Sequence, residues 1–185
     1  MPLLLHVPPK SKSKRAGSYQ DQLIRWAEER ARQGVPRQTI CDALLRAPDI
    51  SLDSFLHLPP DQRDVCLEDK GSRIKAAREI AQVMVNRDLS ARALEREGRL
   101  SDAIRLYEAN LSDKCSAVNS YDRLRVLYTE QGDIQSAIRV CYAYLMVAKN
   151  SADAEAIQQH LYDLVTKRDL TPLSPACILI ANTAG

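Results

Sequence analysis

A chain of 185 residues and 20.7 kDa has room for one or two domains at about 100–200 residues each and can bury a real core, which excludes a large multidomain enzyme. With 45% apolar and 27% charged residues it is neither wholly disordered nor membrane-embedded, and no window approaches the roughly 18 apolar residues of a spanning helix. Six glycines leave few sites for tight hairpin turns, so the expected fold class is all-α. The net charge of +2 divides unevenly. Lys10, Lys12, Lys14 and Arg15 are the charged residues of the first 20, leaving 22 basic against 24 acidic residues in the rest.

Residues 1–17 combine proline, serine, glycine and like charge, a composition that stays solvated, and read as a disordered basic tail. The opening Leu3-Leu4-Leu5 is too short for the apolar segment of a signal peptide. Residues 18–60 read as a small three-helix unit. Tyr19 to Gln33 is amphipathic, with Leu23, Ile24, Trp26, Ala27 and Ala31 on one side, and Gly34 closes it. Pro36 opens a second helix from Arg37 to Leu45. Ser51 caps a third, Leu52 to Leu58, which Pro59-Pro60 ends. The residues Gly34-Val35-Pro36-Arg37-Gln38 and Ile50 to Leu56 resemble a helix-turn-helix of the resolvase and invertase type. That resemblance implies nucleic acid as a partner, with Lys10, Lys12, Lys14 and Arg15 as a minor-groove arm. Base readout, however, wants cations or amides on the third helix, and Ser51 to His57 offers Asp53 and no permanent cation.

Residues 61–83 form either a connecting helix or a degenerate repeat, with Ile74, Ala77, Ile80, Ala81 and Met84 at helical spacing. A 34-residue period then begins. Gly98 and Gly132 stand 34 apart, as do Leu100 and Ile134, Ala103 and Ala137, Ile104 and Ile138, Arg105 and Arg139, and Leu111 and Leu145. Leu94 with Tyr128 and Tyr107 with Cys141 share the offset. Each copy reads as two helices broken at the glycine, which takes a left-handed C-terminal cap. The alanines at 103 and 137 allow a close crossing.

On these residues, over about 84–150, the chain resembles the tetratricopeptide repeat family, with Gly98/Gly132, Ala103/Ala137 and Ala91 at signature positions and Arg87 and Tyr121 where the family's first tryptophan falls. The resemblance implies a fragment of a right-handed α-solenoid made of helical hairpin repeats, a non-catalytic scaffold or adaptor that binds a protein or peptide in a concave groove. Lining residues would be Asp88, Arg92, Glu95 and Arg96 in the first copy, and Asn119, Asp122, Val126 and Thr129 in the second. Members that grip a C-terminal carboxylate carry lysine where Asp88 and Asp122 stand. Two carboxylates repel an acidic terminus, so a partner of basic or mixed polarity is expected. Residues 151–170 read as a capping helix opened by Ser151, and a short array of this kind also suits self-association. Residues 171–185 form a tail with the apolar run Ala176 to Ala181, which needs cover.

Catalysis finds little to work with. The five cysteines lie at least 25 positions apart, outside Cys-x-x-Cys spacing, and read as buried apolar groups of a cytoplasmic protein. His6, His57 and His160 have no metal-ligand spacing, and nucleotide-binding glycine patterns are missing. No catalytic residue, cofactor or metal is expected. Of the tyrosines, Tyr107, Tyr121 and Tyr128 read as hairpin core, Tyr142 and Tyr144 as contact surface.

Overall fold

The computed structural model describes residues 5–10, 17–46, 51–148 and 153–170. Among these residues the protein is all-helical, with eight helices: α1 (Tyr19–Arg32), α2 (Arg37–Arg46), α3 (Leu52–Leu56), α4 (Pro60–Arg96), α5 (Leu100–Ser112), α6 (Val118–Glu130), α7 (Ile134–Val147) and α8 (Asp153–Leu170). They belong to two compact units, Met1–Cys115 and Ser116–Gly185. Ser151 and the run Ala176 to Ala181 lie outside the described residues.

The first unit is organised by α4. Pro60 at its first turn loses no helical hydrogen bond, and from there 37 residues run for about 55 Å at 1.5 Å per residue. The segment 61–83 is therefore one continuous helix with the start of the first hairpin. The apolar faces of α1 (Tyr19, Leu23, Ala27) and α2 (Ile40, Cys41, Leu44) close on Ala76, Ala77 and Ile80 of α4. Small side chains on α4 let the two shorter helices approach it, and each fully buried leucine or isoleucine contributes about 1.5–3 kcal/mol.

This corrects the expected three-helix unit. The third helix of that packing is α4, because α3 buries no side chain and leaves Leu52 and Leu56 exposed. Its position is held at the C-terminal end, where the Arg63 guanidinium donates to the carbonyls of Leu56 and Leu58. Residues 5–10 of the N-terminal arm are seated on this unit. Leu5 and Val7 pack against the α1–α2–α4 core, the Tyr19 hydroxyl donates to the Pro8 carbonyl at 2.9 Å, and Lys10 pairs with Glu68 at 3.1 Å. Two apolar side chains and one tyrosine are enough to hold residues 5–10 down. Lys12, Lys14 and Arg15 lie outside the described residues.

Four helix ends share one turn chemistry. Gly34, Gly98 and Gly132 have φ of 84°, 76° and 77°. At all three the next amide reaches back, to the carbonyls of Arg30, Leu94 and Tyr128 respectively, a Schellman closure. The fourth, after α5, places Lys114 at φ 54° with the Cys115 amide bonded to the Asn110 carbonyl. Starts are capped individually. Ser18 and Asp21 form a capping box on α1, which holds the Asp21 carboxyl below its ordinary range. Asp133 accepts from the Ser136 amide at 3.0 Å to start α7, and its hydrogen bonds with the Ser136 side chain and then its amide lower its pKa.

In the second unit α6 and α7 form a hairpin, and α8 packs on α7 through Ala154, Ile157 and Leu164. The exposed side of α8 carries Glu155, Gln158, Gln159 and Asp163. Acids in its first turn and Lys167 and Arg168 in its last match the helix dipole.

Candidate functional site

The second helices of the two hairpins, α5 after the C-terminal part of α4 and α7 after α6, share buried positions at the 34-residue offset, whereas on the first helices Ser90 and Ala93 are exposed where Leu124 and Leu127 are buried. Ala103 and Ala137 are both fully buried, as are Tyr107 and Cys141, and Asn110 and Tyr144. A methyl at 103 and 137 is what lets each pair of backbones close. Two polar side chains brought in by the first hairpin's packing bond within it. The Tyr107 hydroxyl donates to Glu95 at 2.5 Å, and the Asn110 amide donates to the Met84 carbonyl at 2.9 Å. In the second hairpin Tyr121 meets Tyr144 edge to face, with centroids 5.1 Å apart. Tyr144 is therefore core, correcting its expected place on a contact surface; Tyr142 is exposed. Tyr128 is half-buried beneath the Arg139 guanidinium at 5.9 Å.

On the first-helix positions expected to meet a partner, α4 presents Asp88, Arg92 and Arg96. Asp88 pairs with Arg92 one turn on at 3.0 Å, so its charge is largely spent within the helix. Arg96 is exposed. Glu95 is turned toward α5 by the Tyr107 bond and supports the hairpin. On α6, Asn119 is exposed and Asp122, Val126 and Thr129 are half-buried. Asp122 pairs with Arg125 at 2.7 Å, and the Thr129 hydroxyl donates to the Arg125 carbonyl. Arg125, which stands where the first copy has buried Ala91, reaches along the helix to that carboxylate. Both aspartates carry an arginine of their own helix, so neither side presents two bare carboxylates.

The most constrained polar group in the first unit was not foreseen. Asp113, at the end of α5, is 8% exposed. Its carboxylate accepts from the Arg37 amide at 3.1 Å, from the Arg37 guanidinium at 3.0 Å and from Arg87 at 2.5 Å. Its carbonyl accepts from the Gln38 amide at 3.1 Å. One residue thus caps α2, where Pro36 supplies no side-chain acceptor, and balances two arginines. Arg87, at the place of the repeat's tryptophan, holds the same corner by charge.

Among the described residues, three or more His, Cys, Asp or Glu side chains nowhere gather as a metal ion would need. Burial pushes the Cys41 and Cys141 thiols up to about 11, so both stay protonated near neutrality. A shallow concavity runs along α1, lined by Gly17, Asp21, Ile24, Arg25 and Glu28. No described helix is long and apolar enough to cross a membrane. Among the described residues the fold is all-helical, its helices packed against one another. Comparison with family models, with curated proteins and with solved structures returns no match to this chain.

Proposed function

We propose that the protein is a tetratricopeptide-like scaffold that binds a partner protein or peptide without catalysis, in the cytoplasm, through the polar first-helix faces of its hairpins. The observation that carries this reading is the agreement of the 34-residue period with burial: three pairs of equivalent positions are buried in both hairpins, and both turns close on a left-handed glycine. A chain that repeats a packing unit leaves the same face of each unit for recognition. The self-paired aspartates favour a ligand of mixed polarity over a purely basic one, because each face carries both signs of charge.

The alternative, nucleic-acid binding through residues 18–60 and the basic arm, gains nothing from α3, which is five residues long with Asp53 in its first turn. Lys10 is already paired with carboxylates of α4. Purification of the full chain from its native source, with mass spectrometry for bound protein and ultraviolet absorbance for bound nucleic acid, separates these readings. A defined protein at fixed stoichiometry supports the scaffold. Co-purifying nucleic acid whose binding falls steeply with salt, and is lost on deleting residues 1–17, would replace it.

A further inference from the structure

The side of α4 turned away from α1, α2 and α5 is left uncovered by this packing. Its buried residues, Ala76, Ala77, Ile80, Met84 and Ala91, share one face. On the opposite side Leu67, Ile74, Val85 and Leu89 are 57%, 38%, 49% and 58% exposed. Their offsets of 7, 18 and 22 residues bring them round to within about 60° of one another at 100° per residue, so they form a stripe roughly 33 Å long. Isolated exposed leucines are ordinary, but an aligned stripe on the longest helix marks a contact surface.

Charge indicates what covers it. Arg78 lies within the stripe and Lys75 and Arg96 border it, and none of the three makes an ion pair with a described residue. Of the acids on this side, Asp88 is neutralised by Arg92, and Asp64 lies toward the N-terminal end. We propose that this stripe docks an amphipathic helix of a partner protein, whose apolar face is flanked by acidic side chains. A second copy of the chain fits less well, because antiparallel pairing about the middle of the stripe sets Arg78 against its own counterpart. A lipid surface fits less well too, because the stripe is narrow, interrupted by Arg78 and without aromatic residues. The proposal rests on the partner-binding reading above, but its surface lies on α4 alone.

The test titrates the full chain with two synthetic amphipathic helical peptides that share a leucine face, one flanked by glutamate and the other by lysine, using fluorescence anisotropy. The glutamate peptide is expected to bind at least about tenfold more tightly, a difference of about 1.4 kcal/mol. Lys75→Glu with Arg78→Glu, which leaves the apolar stripe intact, should reverse the preference. Leu67→Ser with Ile74→Ser should weaken both peptides, with circular dichroism confirming retained helix. Equal binding of the two peptides, no binding of the glutamate peptide, or indifference to the charge reversal overturns the proposal. So does occupation of the stripe by a second copy, seen as a concentration-dependent mass that Leu67→Ser with Ile74→Ser abolishes, or binding to phosphatidylserine vesicles in preference to the peptide. Asp122→Lys on α6 tests the hairpin faces separately from the stripe, so either reading can fail while the other stands.

Discussion

Glycine has opposite roles at different positions of this chain. At Gly98 and Gly132 the backbone is left-handed, and a side chain there would meet no neighbour within 4 Å, so the whole cost of adding a Cβ is conformational. Gly71 lies inside α4 with ordinary helical backbone and equally open space. Gly71→Ala should therefore raise stability by about 0.5–1 kcal/mol, while Gly98→Ala and Gly132→Ala should each lower it by about 1–2 kcal/mol. Urea unfolding followed by circular dichroism reads both signs, and a common sign would refute the assignment of the turns. Lys114 shows how such a position escapes notice in a sequence. It closes the same kind of turn as the glycines, but the residue type gives no hint of a positive φ.

Among the elements, α2 depends most on a distant residue. It follows Pro36, which has no side chain to cap it, and its first two amides are taken by Asp113 from the end of α5. Asp113→Ala removes the cap and leaves Arg37 and Arg87 facing each other, and should cost about 2–3 kcal/mol in urea unfolding. Asp113→Asn keeps an acceptor for the Arg37 amide and should cost measurably less. Equal costs would mean that the charge and not the cap carries the contribution. Nothing in the local sequence announces this bond, since its partners are 76 and 26 residues away. By contrast α1, α2 and the α5 and α7 hairpin arms were legible, because apolar spacing, terminal glycine and Pro36 are local signals. The third helix of the N-terminal unit was misassigned for the same reason that α2's cap was missed. Leu52 and Phe55 have helical spacing, but α4 already supplies a face lined with small residues, and a pattern of spacing does not say which apolar face wins the contact.

At the scale of the molecule, the shortage of glycine carried the all-α expectation and the period of 34 located both hairpins, while the candidate surface was legible only in part. Arg96 and Asn119 are exposed as expected, but Glu95 is turned into its hairpin by Tyr107, and Tyr144 is core. The signal for Tyr144 was present: it lies three residues beyond Cys141 on the apolar side of the same helix, one turn along the buried face. The pairing of Asp88 with Arg92 and of Asp122 with Arg125 follows from spacings of four and three, and of the basic or mixed-polarity partner expected it leaves mixed polarity as the one proposed. The most direct measurement is quantitative capture of co-purifying protein by the wild-type chain and by Asp88→Lys with Asp122→Lys, with circular dichroism confirming that both are folded. The scaffold account predicts that the double variant loses or exchanges its bound protein while keeping its helix content; an unchanged set of bound proteins, at unchanged amount, would contradict it.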